Sequence, residues 1–327
     1  MKRDLDEIAA VLRAVLPGDR QISAVVPLTT GFSNETYLIR GPDLILRLPP
    51  AAGAMLDGHD VLAQARIYEE LSRTVGAPRV PEIVHIEDSA DLLGVPFFVM
   101  AKVPGESVSD LDMQDWFTDA SDVVRRQMCI DWVSAFANLA NLAPLDVLGS
   151  PVSPEDDMRM WQRFAEGANC PILVDGIERL LKNPAPLSGL PAVIQGDSKL
   201  SNIMWDDFRI SAVLDWEMSL NGEPLADLGY MLYTFENDYH AATRAQKLPG
   251  MLHRADVISR WEQVSGRSAA GVVWHEIAQM AKLTAIIAEG CNMVDTGRSQ
   301  DPKLAIFKAS LGYYLSITQA MLAGAGY

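Results

Sequence analysis

The stretch 195-QGDSKLSNIMWDDFRISAVLDWEMS-219 gathers four side chains with hard oxygen atoms: Asp197, Asn202, Asp215 and Glu217. Asn202 follows Asp197 by five residues, and Asp215 follows Asn202 by thirteen. Phosphoryl transfer calls for such a set. A carboxylate must orient an attacking hydroxyl and take its proton, and hard oxygens must hold Mg2+ beside nucleotide phosphates. An Asp with an Asn five residues on, in a tight loop, serves both needs: Asp197 faces an acceptor while Asn202 turns back to a metal. Asp215, at the end of a neighbouring strand, completes the metal site. The plainer reading is three turn formers at hairpin ends, since Asp and Asn favour turns.

The surrounding elements must position these groups. Residues 4–16 read as an amphipathic helix ended by Pro17-Gly18. Strand-like runs follow at 22–28, 29–40 and 43–49, punctuated by Gly31 and Gly41-Pro42. In 59–75, Val61, Leu62, Ala65, Tyr68, Leu71 and Val75 recur at helical spacing, with His59 and Asp60 placed to cap the start. Two more strands are expected at 80–87 and 94–105. Beyond them the pattern is mostly helical, at 121–143, 157–168, 225–235, 253–264, 272–290 and 303–323. Met128, Trp132, Phe136 and Leu139 share one helix face, and Cys129 beside them reads as core filler. The β-type runs AVIQGD, NIMWDD and ISAVLDWE interrupt the helices and suggest a small hairpin with polar residues at its ends. Trp216, Tyr230, Tyr233 and Phe235 read as core. His240, His253 and Asp238 read as surface residues.

Composition narrows the function. The chain has 327 residues and a formal net charge of −16. That excess disfavours binding to nucleic acid or anionic lipid, and serves solubility first. Cys129, Cys170 and Cys291 are too scattered for a disulfide framework or a metal site, which fits a reducing cytosol. Asp4, Asp6 and Glu7 interrupt the N-terminus too early for a signal-peptide core, and no run approaches the roughly 18 apolar residues of a membrane span. His275-Glu276 begins a zinc-protease pattern, but position 279 is Gln279; Gly196-Asp197-Ser198 begins a nucleophile elbow, but position 200 is Leu200. No P-loop and no dinucleotide-binding glycine pattern occurs.

As a set, Q-G-D-S-K-L-S-N, V-L-D-W-E and G-E-P-L-A-D-L resemble the aminoglycoside phosphotransferase family, in the branch that includes kinase domains associated with acyl-CoA dehydrogenases. TTGFSNETY, LILRLPP, HDVLAQARIY and GVPFFVMAKVPG agree in the right order, so the resemblance covers roughly 25–300. It implies an α+β, bilobal protein-kinase-like fold: a small, mostly β N-terminal lobe at 1–103, with a hinge near 100–103, and a larger helical lobe at 104–327. It implies ATP and Mg2+ as cofactors and a small molecule bearing a hydroxyl as substrate, a hydroxylated acyl-CoA being one candidate.

Carried over residue by residue, Asp197 matches the catalytic Asp, and Asn202 and Asp215 match the Mg2+ ligands. Lys199 resembles a Lys that neutralises charge on the transferred group. Gly31, Phe32, Ser33 and Asn34 match the turn over the phosphates. Arg47 stands where kinases place a strand Lys, and a guanidinium can hold phosphate oxygens bidentately. Met100, Ala101, Lys102 and Val103 match the hinge that meets adenine. Glu217 matches a carboxylate supporting the site or facing substrate, and Asp227 matches a buried Asp that braces the catalytic loop. Two positions depart from the pattern. Gln195 replaces the usual His, although an amide both donates and accepts. Gln64 replaces the helix Glu, so its expected contact with Arg47 is a hydrogen bond and no longer an ion pair. These departures keep one rival in view, a nucleotide-binding pseudokinase with little turnover; a separate rival is a non-nucleotide small-molecule binding protein that keeps only the fold.

Overall fold

The structure is a computed structural model that describes residues 3–16, 18, 21–28, 34–50, 60–109, 113–235, 248–299 and 304–327. Gly31, Phe32, Ser33, His59, Asp238 and His240 lie outside the described residues.

Helix α1 (Leu5–Val15) is capped by Asp4, whose carboxylate accepts the amides of Asp6 and Glu7. Strands β1 (Ala24–Leu28), β2 (Glu35–Arg40), β3 (Leu44–Leu48), β4 (Ile83–Glu87) and β5 (Phe97–Ala101) follow, with α2 (Val61–Arg73) between β3 and β4. They form one antiparallel sheet in the order β1-β2-β3-β5-β4. Strand alternation decides what β3 does. Leu44, Leu46 and Leu48 turn to one face and pack with Ile8 and Leu12 of α1. Ile45 and Arg47 therefore take the opposite face, where Tyr68 of α2 stands edge-on to Phe98 of β5 at 6.2 Å. Asp60 starts α2 by accepting the Leu62 amide at 2.8 Å. One period of two thus delivers a single cation to the α2 side of the sheet.

The larger lobe contains β6 (Glu106–Ser107), α3 (Asp115–Thr118), α4 (Asp122–Leu139), α5 (Pro154–Gly167), α6 (Pro171–Leu181), β7 (Ala192–Ile194), β8 (Ile203–Asp206), β9 (Arg209–Val213), β10 (Leu220–Gly222), α7 (Leu225–Phe235), α8 (Arg254–Ser265), α9 (Val272–Asp295) and α10 (Ala305–Ala325). Met128, Trp132, Phe136 and Leu139 of α4 are all buried, as their spacing requires, and so is Cys129. Trp216 is buried too, while Tyr230 and Tyr233 are half-buried. Helix α9 is buried on nearly every side and runs through the centre of this lobe. It approaches α7 so closely that a Cβ on Gly229 would lie 2.8 Å from the His275 carbonyl carbon.

Two features depart from the sequence expectation. Helix α6 is absent from the pattern of long helices because Pro171 and Gly176 interrupt it. Pro171 sits at the start, where its missing N–H costs nothing. Gly176 faces α10, where an added Cβ would meet Leu322 at 3.1 Å. The second departure concerns AVI at 192–194. It does not join the hairpin; β7 pairs with β10 instead. The hairpin is β8–β9 alone, turned by Asp207 and Phe208 at φ 47° and 59°. No helix among the described residues is long and apolar enough to cross a membrane.

Candidate active site

Loop 195–202, between β7 and β8, carries Asp197, Lys199 and Asn202. Its shape is imposed from below. Asp227, at the start of α7 and 2% exposed, accepts the amides of Gln195 and Gly196, both at 2.9 Å. Ser198 donates its hydroxyl to the Asp227 carbonyl at 2.8 Å, and Trp132 of α4 donates to the Ser198 carbonyl at 3.0 Å. Gly196 takes φ +82°, and a Cβ there would lie 2.2 Å from the Met218 carbonyl oxygen, so only glycine fits.

The carboxylate of Asp197 is polarised to one side. Its Oδ2 accepts Asn202 Nδ2 at 2.7 Å and pairs with Lys199 Nζ at 3.0 Å. Its Oδ1 accepts no hydrogen bond among the described residues. Asn202 Nδ2 also donates to the Asp197 carbonyl at 2.8 Å. Both amide hydrogens of Asn202 are thereby committed, which turns its carbonyl oxygen away from Asp197.

Asp215 follows β9 at φ 61°, a left-handed conformation that Asp tolerates better than most side chains. Three contacts hold it there. Its amide donates to the Tyr68 hydroxyl at 3.1 Å, and its carbonyl accepts Gln195 Nε2 at 2.7 Å. The neighbouring Leu214 amide donates to the Asn202 carbonyl at 2.7 Å, which ties the two halves of the site together. Burial pushes the Tyr68 phenol far above its ordinary range, so it stays a neutral partner.

Gln195 does more than fill the place of a histidine. Its Oε1 accepts the Asp197 amide at 2.7 Å while Nε2 reaches Leu214 O at 3.1 Å and Asp215 O at 2.7 Å. One fully buried amide thus links the Asp197 and Asp215 segments. The apolar isostere Gln195→Met removes the partner of the buried Asp197 amide and of the half-buried Leu214 and Asp215 carbonyls. It is expected to destabilise the fold by roughly 2–4 kcal/mol, whereas Gln195→His, which can donate and accept, keeps most of that stability. Urea denaturation of the two variants checks the ordering.

The sheet supplies the other wall. Arg47 Nη2 lies 3.5 Å from Asp215 Oδ1 and Nη1 donates to Thr36 at 3.2 Å. Gln64 Nε2 also reaches Asp215 Oδ1, at 3.3 Å. Instead of the expected Arg47–Gln64 bond, both side chains converge on Asp215, because a carboxylate oxygen is the stronger acceptor for a guanidinium. Arg47 Nε and Gln64 Oε1 are buried without a hydrogen-bond partner. Asn34 Nδ2 donates to Glu217 Oε2 at 3.1 Å, a contact spanning the two lobes. At the expected hinge, the amides of Ala101 and Lys102 are already taken by the Glu82 and Asp43 carbonyls, at 2.8 and 3.2 Å. Met100 lies in the strand ladder of β5, and Val103 follows it.

The donor set suits a hard cation. Asn202 has a carbonyl oxygen turned away from Asp197, and Asp215 Oδ2 accepts no hydrogen bond among the described residues. Mg2+ is characteristically held by one or two protein oxygens together with phosphate oxygens and water. Among the described residues no group of three His, Cys, Asp or Glu could cage a metal.

Sequence reasoning missed Lys282 of α9, which is 4% exposed and donates its ammonium to the Gly196 carbonyl. Its helical position read simply as part of a long amphipathic pattern. The usable signal was a lysine inside the most apolar run of α9, where a charge needs a partner.

Two buried titratable groups give the lobe a specific pH response. Burial raises the Asp227 carboxyl from 3.8 to about 6, against the lowering pull of the Gln195 and Gly196 amides and Lys282. Burial lowers His275 from 6.5 to about 4, with its Nε2 donating to the Pro186 carbonyl at 2.8 Å. The Asp227 contribution is fully present below about pH 3.8 and lost as pH rises through about 6; that of His275 is present above about pH 6.5 and lost as pH falls through about 4. The two oppose each other across one window. Asp227→Asn is therefore expected to steepen the loss of stability on acidification there, and His275→Gln to flatten or reverse it. Urea midpoints followed across that window read both slopes.

The geometry has counterparts in known proteins. The model of the APH phosphotransferase enzyme family matches residues 24–257. Acyl-CoA dehydrogenase family member 11 of Mus musculus is 26% identical over 246 residues, covering 70% of this chain and 31% of the relative. The chain thus spans less than a third of that curated relative. A solved structure from Ralstonia eutropha, described as a candidate aminoglycoside phosphotransferase, superposes with a TM-score of 0.77 at 18% identity, over 99% of each chain. A GDP complex of an aminoglycoside 2'-phosphotransferase-IIIa variant gives 0.66 at 17% identity, over 99% of this chain and 100% of the other. These likenesses show a common bilobal, protein-kinase-like fold.

Proposed function

Because the chain belongs to the APH phosphotransferase enzyme family, we propose that it transfers the γ-phosphoryl group of ATP, with Mg2+, to a hydroxyl group of a small molecule. One observation carries the reading: Asp197 is held through Oδ2 by Asn202 and Lys199, with Oδ1 left open, in a loop tied directly to Asp215. That is the posture of a group that aligns a hydroxyl.

In the proposed reaction the acceptor O–H donates to Asp197 Oδ1. Its oxygen forms the new bond to phosphorus as the bond to the ADP leaving oxygen breaks, and the proton passes late to Asp197. Lys199 and Arg47 would offset the charge of the transferred group. Asn202 and Asp215 would hold Mg2+, which when bound neutralises phosphate charge. Asn34 would meet the phosphates, with Gly31, Phe32 and Ser33 the other residues expected there. At the hinge, Met100, Ala101, Lys102 and Val103 would meet adenine through backbone groups other than the Ala101 and Lys102 amides, which are already taken. Catalysis is then mainly positioning and electrostatics.

Structures of this fold include complexes with GDP and with ATP and streptomycin, which supports nucleotide use. The acceptor stays at the level of a hydroxyl-bearing small molecule, and hydroxylated acyl-CoA thioesters and aminoglycosides head the screen. The proposed compartment is the cytosol; Cys129, Cys170 and Cys291 form no disulfide with one another, which fits it. The test is a thermal shift with ATP or GTP, with and without Mg2+, followed by turnover across the acceptor panel. A Mg2+-dependent shift with turnover supports the reading. A shift without turnover for any acceptor or water favours the pseudokinase, and no shift with either nucleotide overturns nucleotide use.

A further inference from the structure

Lys282 lies beneath loop 195–202, and the proposed reaction assigns it no part. Its ammonium is buried at the centre of the larger lobe, 5.7 Å over the Trp161 ring, and donates to the Gly196 carbonyl. Burying a cation is costly unless it is paired and hydrogen-bonded, which fixes where this ammonium can sit. Burial pulls its pKa below the ordinary lysine range, and Asp157 of α5, Asp197 of the loop and Asp227 of α7 pull it back up, against the like charge of Lys199. Trp161 also donates to Asp157 at 3.0 Å, so α5 supplies both an aromatic face and a carboxylate around the ammonium.

The peptide unit between Gly196 and Asp197 is gripped at both polar ends. Lys282 holds its carbonyl oxygen from α9, and Gln195 Oε1 holds its N–H at 2.7 Å. Gly196 is the residue in the loop most able to rotate that unit, because glycine adopts either sign of φ at little cost. Rotation would swing Asp197 away from Asn202 and Lys199.

We propose that Lys282 is a positioning residue that clamps the Gly196–Asp197 peptide and so aims the Asp197 carboxylate at the acceptor. The inference rests on the phosphotransfer reading for its consequence, though not for its geometry. A misplacement of about 1 Å at a reacting group costs on the order of 10²-fold in rate. Lys282→Met keeps length and apolar stem while deleting the N–H donors. It is expected to lower kcat by about 10–100-fold, to leave KM for ATP and acceptor nearly unchanged, and to raise amide exchange in the 195–202 peptide while α4 keeps its protection.

Two measurements on the full chain decide the matter: steady-state kinetics with the best acceptor or water, and hydrogen exchange read by mass spectrometry. Unchanged exchange at 195–202 overturns the clamp. Raised exchange with unchanged kcat overturns its positioning role, as does a kcat loss matched by an equal rise in KM. Should Lys282→Met not fold, Lys282→Arg gives the same reading, since a broader guanidinium at that buried position would displace the Gly196 carbonyl while keeping the charge. A wild type without Mg2+-dependent turnover overturns the phosphotransfer reading instead, and the exchange arm still decides the clamp.

Discussion

Replacing Asp197 by Asn is expected to lower kcat by about 10²–10⁴-fold, the usual worth of a positioned acid–base group. The substitution is nearly isosteric, so the loop should keep its shape. Gln195, Asp227 and Trp132 grip backbone atoms, and none of them depends on the Asp197 carboxylate. What is lost is the charge that aligns the acceptor hydroxyl and takes its proton, together with the ion pair to Lys199. Nucleotide binding should survive, because Arg47 and the proposed Mg2+ ligands Asn202 and Asp215 remain. The measurement is paired: turnover, and the thermal shift with Mg2+ and ATP. A normal shift with turnover near the wild-type value would remove Asp197 from the mechanism.

The second large effect is expected at Asp215. Asp215→Asn should abolish the Mg2+-dependent part of the ATP thermal shift, which for the wild type at about a hundred times its dissociation constant amounts to roughly 2.7 kcal/mol. It should also reduce turnover by about 10³-fold, the scale seen when a group that stabilises transition-state charge is removed. The reason lies in the ligand count. With Asn202 as the other protein ligand proposed, a neutral amide at 215 leaves Mg2+ with no protein carboxylate. The fold should tolerate the change. The Asp215 side chain is 29% exposed, and its structural bonds to Tyr68 and Gln195 run through the backbone. A variant that kept a Mg2+-dependent shift would move the metal site elsewhere. A variant that failed to fold would instead make the Arg47–Asp215 and Gln64–Asp215 contacts structural.

Gln195 and Gln64, the two departures from the family pattern, resolve differently. Gln195 braces the loop through one acceptor and one donor, and an amide offers both. Gln64 has changed its partner. A glutamate there would set a second carboxylate against Asp215 Oδ1, where the Gln64 amide now donates beside Arg47. Neither departure removes a group that the proposed reaction needs, so the geometry gives the pseudokinase reading no added support.

Much of the protein was written in local pattern. The period of two in LILRLP already separated Arg47 from the three leucines that bury themselves against α1, because successive strand residues must face opposite ways. The spacing of Met128, Trp132, Phe136 and Leu139 likewise determined the buried face of α4. Asp197, Asn202 and Asp215 could be picked out because the hard-oxygen donor set and its spacing are local properties of one short stretch. Other features depended on contacts between segments distant in sequence, which no local pattern encodes. Helix α6 owes its glycine to the approach of α10, some 140 residues away. Strand β7 chose β10 over the adjacent hairpin because the chain turns back after Asp215. Asp215, not Gln64, became the partner of Arg47 once α2 and β9 were brought side by side. Lys282 shows the limit most sharply: its helical spacing looks like any other core position, and only the packing of α9 under the loop sets its ammonium on the Gly196 carbonyl. The sequence by itself determined which atoms are available for the proposed chemistry, since donor type and spacing are covalent facts. The tertiary structure alone decided which way those atoms point, since a buried charge or amide takes its orientation from partners that only folding supplies.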